Sequence, residues 1–168
     1  MTEPAPFTQL QNLSAAFTAL VAKVAPGILS VHSHRSRSSG FVWRPGLIVT
    51  ADEALSEEGE FAVMLNSGDI VAAQLAGRDS TTDVALLRVD RADLQPVLLD
   101  PLPVTAGALA MAVGAEDGMP TVAVGVVSRA AGPWRSLRGG EIEARIELDL
   151  RLRRRRSCLR DSQLRSRN

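Results

Sequence analysis

The chain has 168 residues, 45% of them hydrophobic and 23% charged, with 19 basic side chains against 19 acidic. That is one domain of ordinary size, apolar enough to bury a core and too apolar to stay disordered. A single cysteine excludes a disulfide framework and a cysteine-rich zinc module, and no apolar run is long enough to span a bilayer.

The balanced charge hides a division. Residues 151–168 hold eight arginines and one acid, Asp161, which leaves 11 basic and 18 acidic residues in 1–150. A mildly acidic body is thus joined to a strongly basic end. No basic residue precedes Lys23 and Glu3 is acidic, so the start lacks the cationic segment of a secretory signal and the expected location is cytoplasmic.

In chain order, residues 8–24 set Leu10, Leu13, Phe17, Leu20, Val21 and Val24 three and four apart, an apolar helical stripe that Pro26 and Gly27 terminate. Such a stripe most often packs on the domain that follows it. From Ile28 the period falls to two. The stretches 28–34, 39–44, 47–50, 60–66, 70–77 and 83–90 are short and rich in Val, Leu, Ile and Ala. Turn-formers such as Pro45-Gly46, Asn66-Ser67-Gly68 and Arg78-Asp79-Ser80 lie between them. Six such strands in about seventy residues predict a closed antiparallel barrel.

Residues 91–106, with three of the nine prolines, read as a connector. Strand patterns resume at 107–114, 121–129 and 142–150, enough for a sheet and too few for a second barrel. The expected organisation is all-β: an N-terminal segment with its helix over 1–27, a first barrel over 28–99, a partial second barrel over 100–150, and a basic tail over 151–168.

These segments resemble the HtrA-type, trypsin-like serine proteases, whose domain is two six-stranded β-barrels with the active site between them. The likeness runs from about Val24 to Asp149. SSGFVWRPGLIVTADEAL resembles the family's glycine-rich strand, its GLILT strand and the loop bearing the catalytic histidine. NSGDIVAAQLAGRDSTTDVALLRVD resembles the stretch around the catalytic aspartate, and GALAMAVG with TVAVGVVSR resembles two strands of the second barrel. The resemblance implies a trypsin-like double-barrel fold, peptide-bond hydrolysis by a Ser/His/Asp triad, and protein or peptide substrates. It also implies a family that is often periplasmic.

Position by position, the resemblance implies three candidate catalytic residues. After Thr50-Ala51-Asp52 the family's histidine position holds Glu53. Asp83, in Thr82-Asp83-Val84-Ala85-Leu86-Leu87, matches the catalytic aspartate. Counting eight residues from Asp149 reaches Ser157 at the nucleophile position, where Arg155 stands at the family's glycine two before the serine and Arg-Arg-Ser-Cys-Leu replaces the glycine-rich surroundings. In the serine mechanism a neutral imidazole takes the hydroxyl proton and the aspartate holds its tautomer. Glu53 beside Asp83 sets two carboxylates where the family has an attracting pair, so the expected domain is catalytically inactive. The alternative is an acid-active peptidase using Glu53, Asp83 and Ser157, similar in composition to the sedolisin peptidases.

The abrupt loss of pattern after Asp149 is what a shifted reading frame in a GC-rich gene would produce. The arginine run could instead grip nucleic acid or an anionic surface by counterion release. It carries no interleaved aromatic for base stacking, so nucleic acid is not the expected partner. His32 and His34, two apart, could share a strand face but lack a third ligand. Neither metal nor cofactor is expected, and Cys158 reads as an incidental thiol. A three-stranded second sheet would leave an open edge, and with it a route to self-association.

Overall fold

Alternation of apolar and polar side chains from Ile28 onward builds a barrel in the structure, a computed structural model that describes residues 6–152 apart from 35, 58 and 101. Its strands are β1 (Ile28–Ser33), β2 (Ser36–Arg44), β3 (Leu47–Thr50), β4 (Phe61–Met64), β5 (Ile70–Asp79) and β6 (Val84–Val89). They close in the order β1-β2-β3-β6-β5-β4. Antiparallel pairing of β4 with β1, Val63 opposite Val31, completes the ring and removes both edges. One face of each strand points inward. Val31, Val42, Ile48, Val63, Ala85 and Leu87 are fully excluded from water, and each larger side chain among them stabilises the fold by about 1.5–3 kcal/mol through burial.

Gly40 on β2 is a packing requirement. A Cβ there would lie 2.9 Å from the Cγ2 atoms of both Val31 and Ile48 and from the carbonyl oxygen of Val49. The barrel wall has no room for it.

The connector crosses the barrel, where the Val97 N–H donates to the Val42 carbonyl at 2.9 Å. It leads to a second sheet, β11-β8-β7, made of β7 (Leu109–Glu116), β8 (Met119–Ala131) and β11 (Arg145–Asp149). Asp117 and Gly118 join β7 to β8 with φ of 50° and 78°, the twist that a two-residue hairpin turn needs and an Asp-Gly pair supplies. Ser39 ties the sheet to the barrel: its hydroxyl accepts the Ala115 N–H at 2.9 Å.

Three expectations change. The strand expected over 142–150 is split. Residues 141–142 form β10 (Glu141–Ile142), which pairs with β9 (Trp134–Arg135) in a separate hairpin, and β11 begins only at Arg145. A tight turn causes this, with Gly139 at φ 91° and the Ser136 N–H donating to the Gly140 carbonyl at 2.8 Å.

The helix α1 (Pro6–Val24) forms, but its stripe is only partly covered: Phe17, Val21 and Val24 are half-buried, while Leu10 is 66% and Leu20 53% exposed. The short turn at Ala25–Gly27 is fixed to the barrel. The Asn66 Nδ2 donates to the Ala25 carbonyl, and a Cβ on Gly27 would meet the Val97 Cγ2 at 2.6 Å. The helix therefore leaves the barrel from an anchored point with its apolar side largely in water.

Finally, His34 lies beyond the end of β1 in a turn with φ 31°, so it shares no strand face with His32. Among the described residues, no group of three or more His, Cys, Asp or Glu is arranged to hold a metal ion, and no helix is long and apolar enough to cross a membrane.

Candidate active site

After β3 the chain makes one short 3-10 turn, Asp52–Ala54, held by the buried Leu55, whose N–H donates to the Asp52 carbonyl at 3.0 Å. The two acids in this turn point to different fates. Asp52 is 6% exposed. Its carboxylate accepts from the Ser80 hydroxyl at 2.6 Å and from the Arg78 Nε at 2.6 Å. The Ser80 hydrogen bond, then Arg78, holds its carboxyl below the usual carboxylate range against the opposing effect of burial. Glu53, one residue on, is exposed.

Opposite this turn, residues 79–83 form a loop shaped by its own hydroxyls. Asp79 accepts from the Thr81 N–H at 2.9 Å, the Thr81 hydroxyl at 2.6 Å and the Thr82 hydroxyl at 2.7 Å. The Thr81 hydroxyl, then that of Thr82, lowers its pKa to about 2. The loop delivers Asp83 in the left-handed region, φ 60°, which aspartate tolerates better than most residues.

Two hydrogen bonds then join the halves of the site. The Glu53 N–H donates to the Asp83 carboxylate at 2.7 Å, and the Asp52 N–H donates to the Asp83 carbonyl at 3.3 Å. The structure thus brings together Glu53 and Asp83, which are thirty residues apart in the chain.

The β9–β10 hairpin forms the far wall. The Ser136 hydroxyl donates to the Thr81 carbonyl at 2.6 Å, and the Arg138 Nη1 donates to the Ser80 carbonyl at 3.2 Å. Gly140 permits this approach, since a Cβ would stand 2.6 Å from the Thr81 carbonyl oxygen. Between hairpin and loop lies a cleft of about 460 Å³. Glu53 and Asp83 lie on one side, Trp134, Leu137, Arg138 and Ile142 on the other. Ser80, Thr81, Thr82 and Ser136 complete its lining. A carboxylate at position 53 has no N–H to give Asp83 and cannot act as the imidazole does.

Ser157, Cys158 and the arginines from 153 onward lie outside the described residues. Sequence reasoning had marked Glu53 and Asp83 and passed over Asp52, the more deeply engaged acid. Its neighbouring charge gave no signal to separate the two. The hairpin wall was also missed, although Ser136-Leu137-Arg138-Gly139-Gly140 carries a turn signal just before the expected strand at 142–150.

The model of the trypsin-like peptidase domain matches residues 38–154, a span that contains Glu53 and Asp83 and ends before Ser157. A protein of Rhizobium meliloti (strain 1021), described as a probable periplasmic serine endoprotease DegP-like, is 36% identical over 98 residues, 56% of this chain and 19% of its own length. One of Halomonas elongata with the same description is 35% identical over 102 residues, 58% of this chain and 22% of its own. The chain spans about a fifth of the length of these relatives. The crystal structure of Deg5 superposes with a TM-score of 0.71 at 23% identity, over 83% of this chain and 75% of that one. That likeness establishes the two-sheet fold, here with the first barrel closed and the second incomplete among the described residues.

Proposed function

Since the chain belongs to the trypsin-like peptidase family, in which it is similar to HtrA-type members, we propose that it is a peptidase-fold domain that does not cleave peptide bonds near neutral pH. The polypeptides its family acts on are the ligands its cleft is suited to meet. One observation carries this reading. The side chain at residue 53, whose backbone N–H donates to the Asp83 carboxylate at 2.7 Å, is itself a carboxylate where an imidazole would have to stand.

The cost is large. In the serine mechanism the base must accept the hydroxyl proton and become a cation that the aspartate stabilises. A glutamate that accepts a proton becomes neutral, so it leaves Asp83 no cation to stabilise. Loss of the histidine alone is expected to lower turnover on the order of 10⁶-fold. The sequence around Ser157 adds to this, because a turn of backbone N–H groups that glycine permits is replaced by arginines.

The test is fluorophosphonate labelling of the purified full chain at pH 7.5 and at pH 4, with Ser157→Ala as control, alongside cleavage of an unfolded protein substrate. No Ser157-dependent labelling and no cleavage are expected at either pH. Labelling at pH 7.5 that Ser157→Ala abolishes refutes the proposal. The adjacency of Glu53 and Asp83 supports one second reading, an acid-active peptidase, and labelling confined to pH 4 would replace silence with it. Location is a separate matter: the relatives' descriptions are periplasmic, and release of the native chain by osmotic shock would place it with them rather than in the cytoplasm.

A further inference from the structure

The strand β11 has one ladder partner among the described residues, β8, and its other side is a sheet edge. An edge of this kind is a template for another strand. Its protection is limited to its short length, a shift of register between Glu147 and Leu148, and the charges of Arg145, Glu147 and Asp149; it carries no proline, and Ile146 and Leu148 stand 50% and 47% exposed. Its sequence, Arg-Ile-Glu-Leu-Asp, is complementary to itself when reversed.

We propose that two copies of the 168-residue chain associate by antiparallel pairing of β11 with β11 about a two-fold axis at Glu147. In that register Arg145 faces Asp149 of the second copy, twice, and Ile146 faces Leu148, twice. Facing opposite charges and facing aliphatic side chains both stabilise an antiparallel pair. The two Glu147 residues meet at the axis, which opposes association. Each already has cations of its own copy beside it, the Arg145 Nε at 2.7 Å and the Arg129 Nη1 at 3.9 Å. The Arg145 guanidinium also lies over the Trp134 ring at 5.3 Å, which holds it near the edge and leaves further N–H donors for a carboxylate across the axis.

The result is a continuous six-stranded sheet, β7-β8-β11 and its two-fold copy, with paired edges at its centre. The exposed row of Leu109, Val122, Val124 and Val126 from each copy falls on one face of that sheet. A second copy is the occupant the edge fits, because its own β11, run antiparallel, offers the complementary charge order.

The experiment is sedimentation equilibrium on the full chain with charge reversals at the pair. Arg145→Asp and Asp149→Arg should each weaken the dimer about tenfold or more, and the chain carrying both should recover it, since the opposite charges are then merely exchanged. Recovery separates an interface effect from misfolding. A second measurement uses a Cys158→Ser background. Glu147→Cys should oxidise to a disulfide dimer, because opposed Cα atoms in an antiparallel pair lie about 4.5–5.5 Å apart, within disulfide reach. Arg145→Cys should not, being about 13 Å from its own copy at ~3.3 Å per residue. A monomer at all concentrations, a dimer that survives both single reversals, or equal cross-linking at 145 and 147 overturns the proposal.

Discussion

Replacing Arg78 by alanine tests the anchor of the candidate site. The Asp52 side chain is 7% exposed and that of Arg78 22%, with Nε at 2.6 Å from the carboxylate. Breaking a fully buried pair by removing one partner costs about 3–5 kcal/mol, and an exposed pair is worth about 0–1 kcal/mol. Here the Ser80 hydroxyl remains on the carboxylate after the change, and the outer nitrogen of Arg78 reaches only the exposed Glu57 at 3.3 Å. A hydrogen bond to a charged group, worth about 1.5–3 kcal/mol, is therefore the better measure. Arg78→Ala should cost about 2 kcal/mol at pH 7, or about 4–8 °C in Tm for a chain of this size. The sign with pH follows from Asp52. Its folded pKa is lowered from 3.8, so its contribution is complete above about 3.8 and is lost as pH falls through the lower folded value. Urea unfolding of wild type and Arg78→Ala at pH 7 and pH 2.5 reads both effects. A loss below about 0.5 kcal/mol at pH 7, or an undiminished loss at pH 2.5, refutes the reasoning, and Glu57→Ala should cost less than about 0.5 kcal/mol.

The first barrel is expected to be the stability core: Leu87→Ala, at a position with no solvent exposure, should cost about 2–5 kcal/mol by the same urea assay. Asp79 should titrate at about 2 in an NMR pH series, and Thr81→Val with Thr82→Val should bring it back towards 3.8. Its stabilising effect is present above 3.8 and lost as pH falls through about 2. Because α1 keeps Leu10 and Leu20 largely in water, Leu10→Gln and Leu20→Gln should each change stability by less than about 0.5 kcal/mol. A drop of 2 kcal/mol would show the stripe to be covered.

Much of the first barrel was legible. Residues 28–90 alternate with period two and are broken at Pro45-Gly46, Asn66-Ser67-Gly68 and Arg78-Asp79-Ser80, so strand number and turn positions follow from local preference alone. Glu53 and Asp83 were legible for another reason, since short motifs around Thr50 and Thr82 fix their place in a known order. The hairpin at 134–142 was not, because the unbroken alternation of apolar and charged residues from Ile142 to Leu150 hides a break that the Ser136–Gly140 turn imposes from outside it. Nor could the sequence separate Asp52 from Glu53. Which of two adjacent acids turns inward depends on Arg78 and Ser80, 26 and 28 residues away.

Near-neighbour preferences along the chain were therefore enough to mark a β-rich domain with a first barrel and a helix before it. Their energies arise within a few residues and need no knowledge of the whole. The three-dimensional arrangement alone settled which acid is ion-paired, which hairpin walls the cleft, that the helix stripe stays largely in water, and that β11 lies at the edge of its sheet among the described residues. Each of these turns on contacts between segments remote in sequence, where packing and geometry outweigh local propensity.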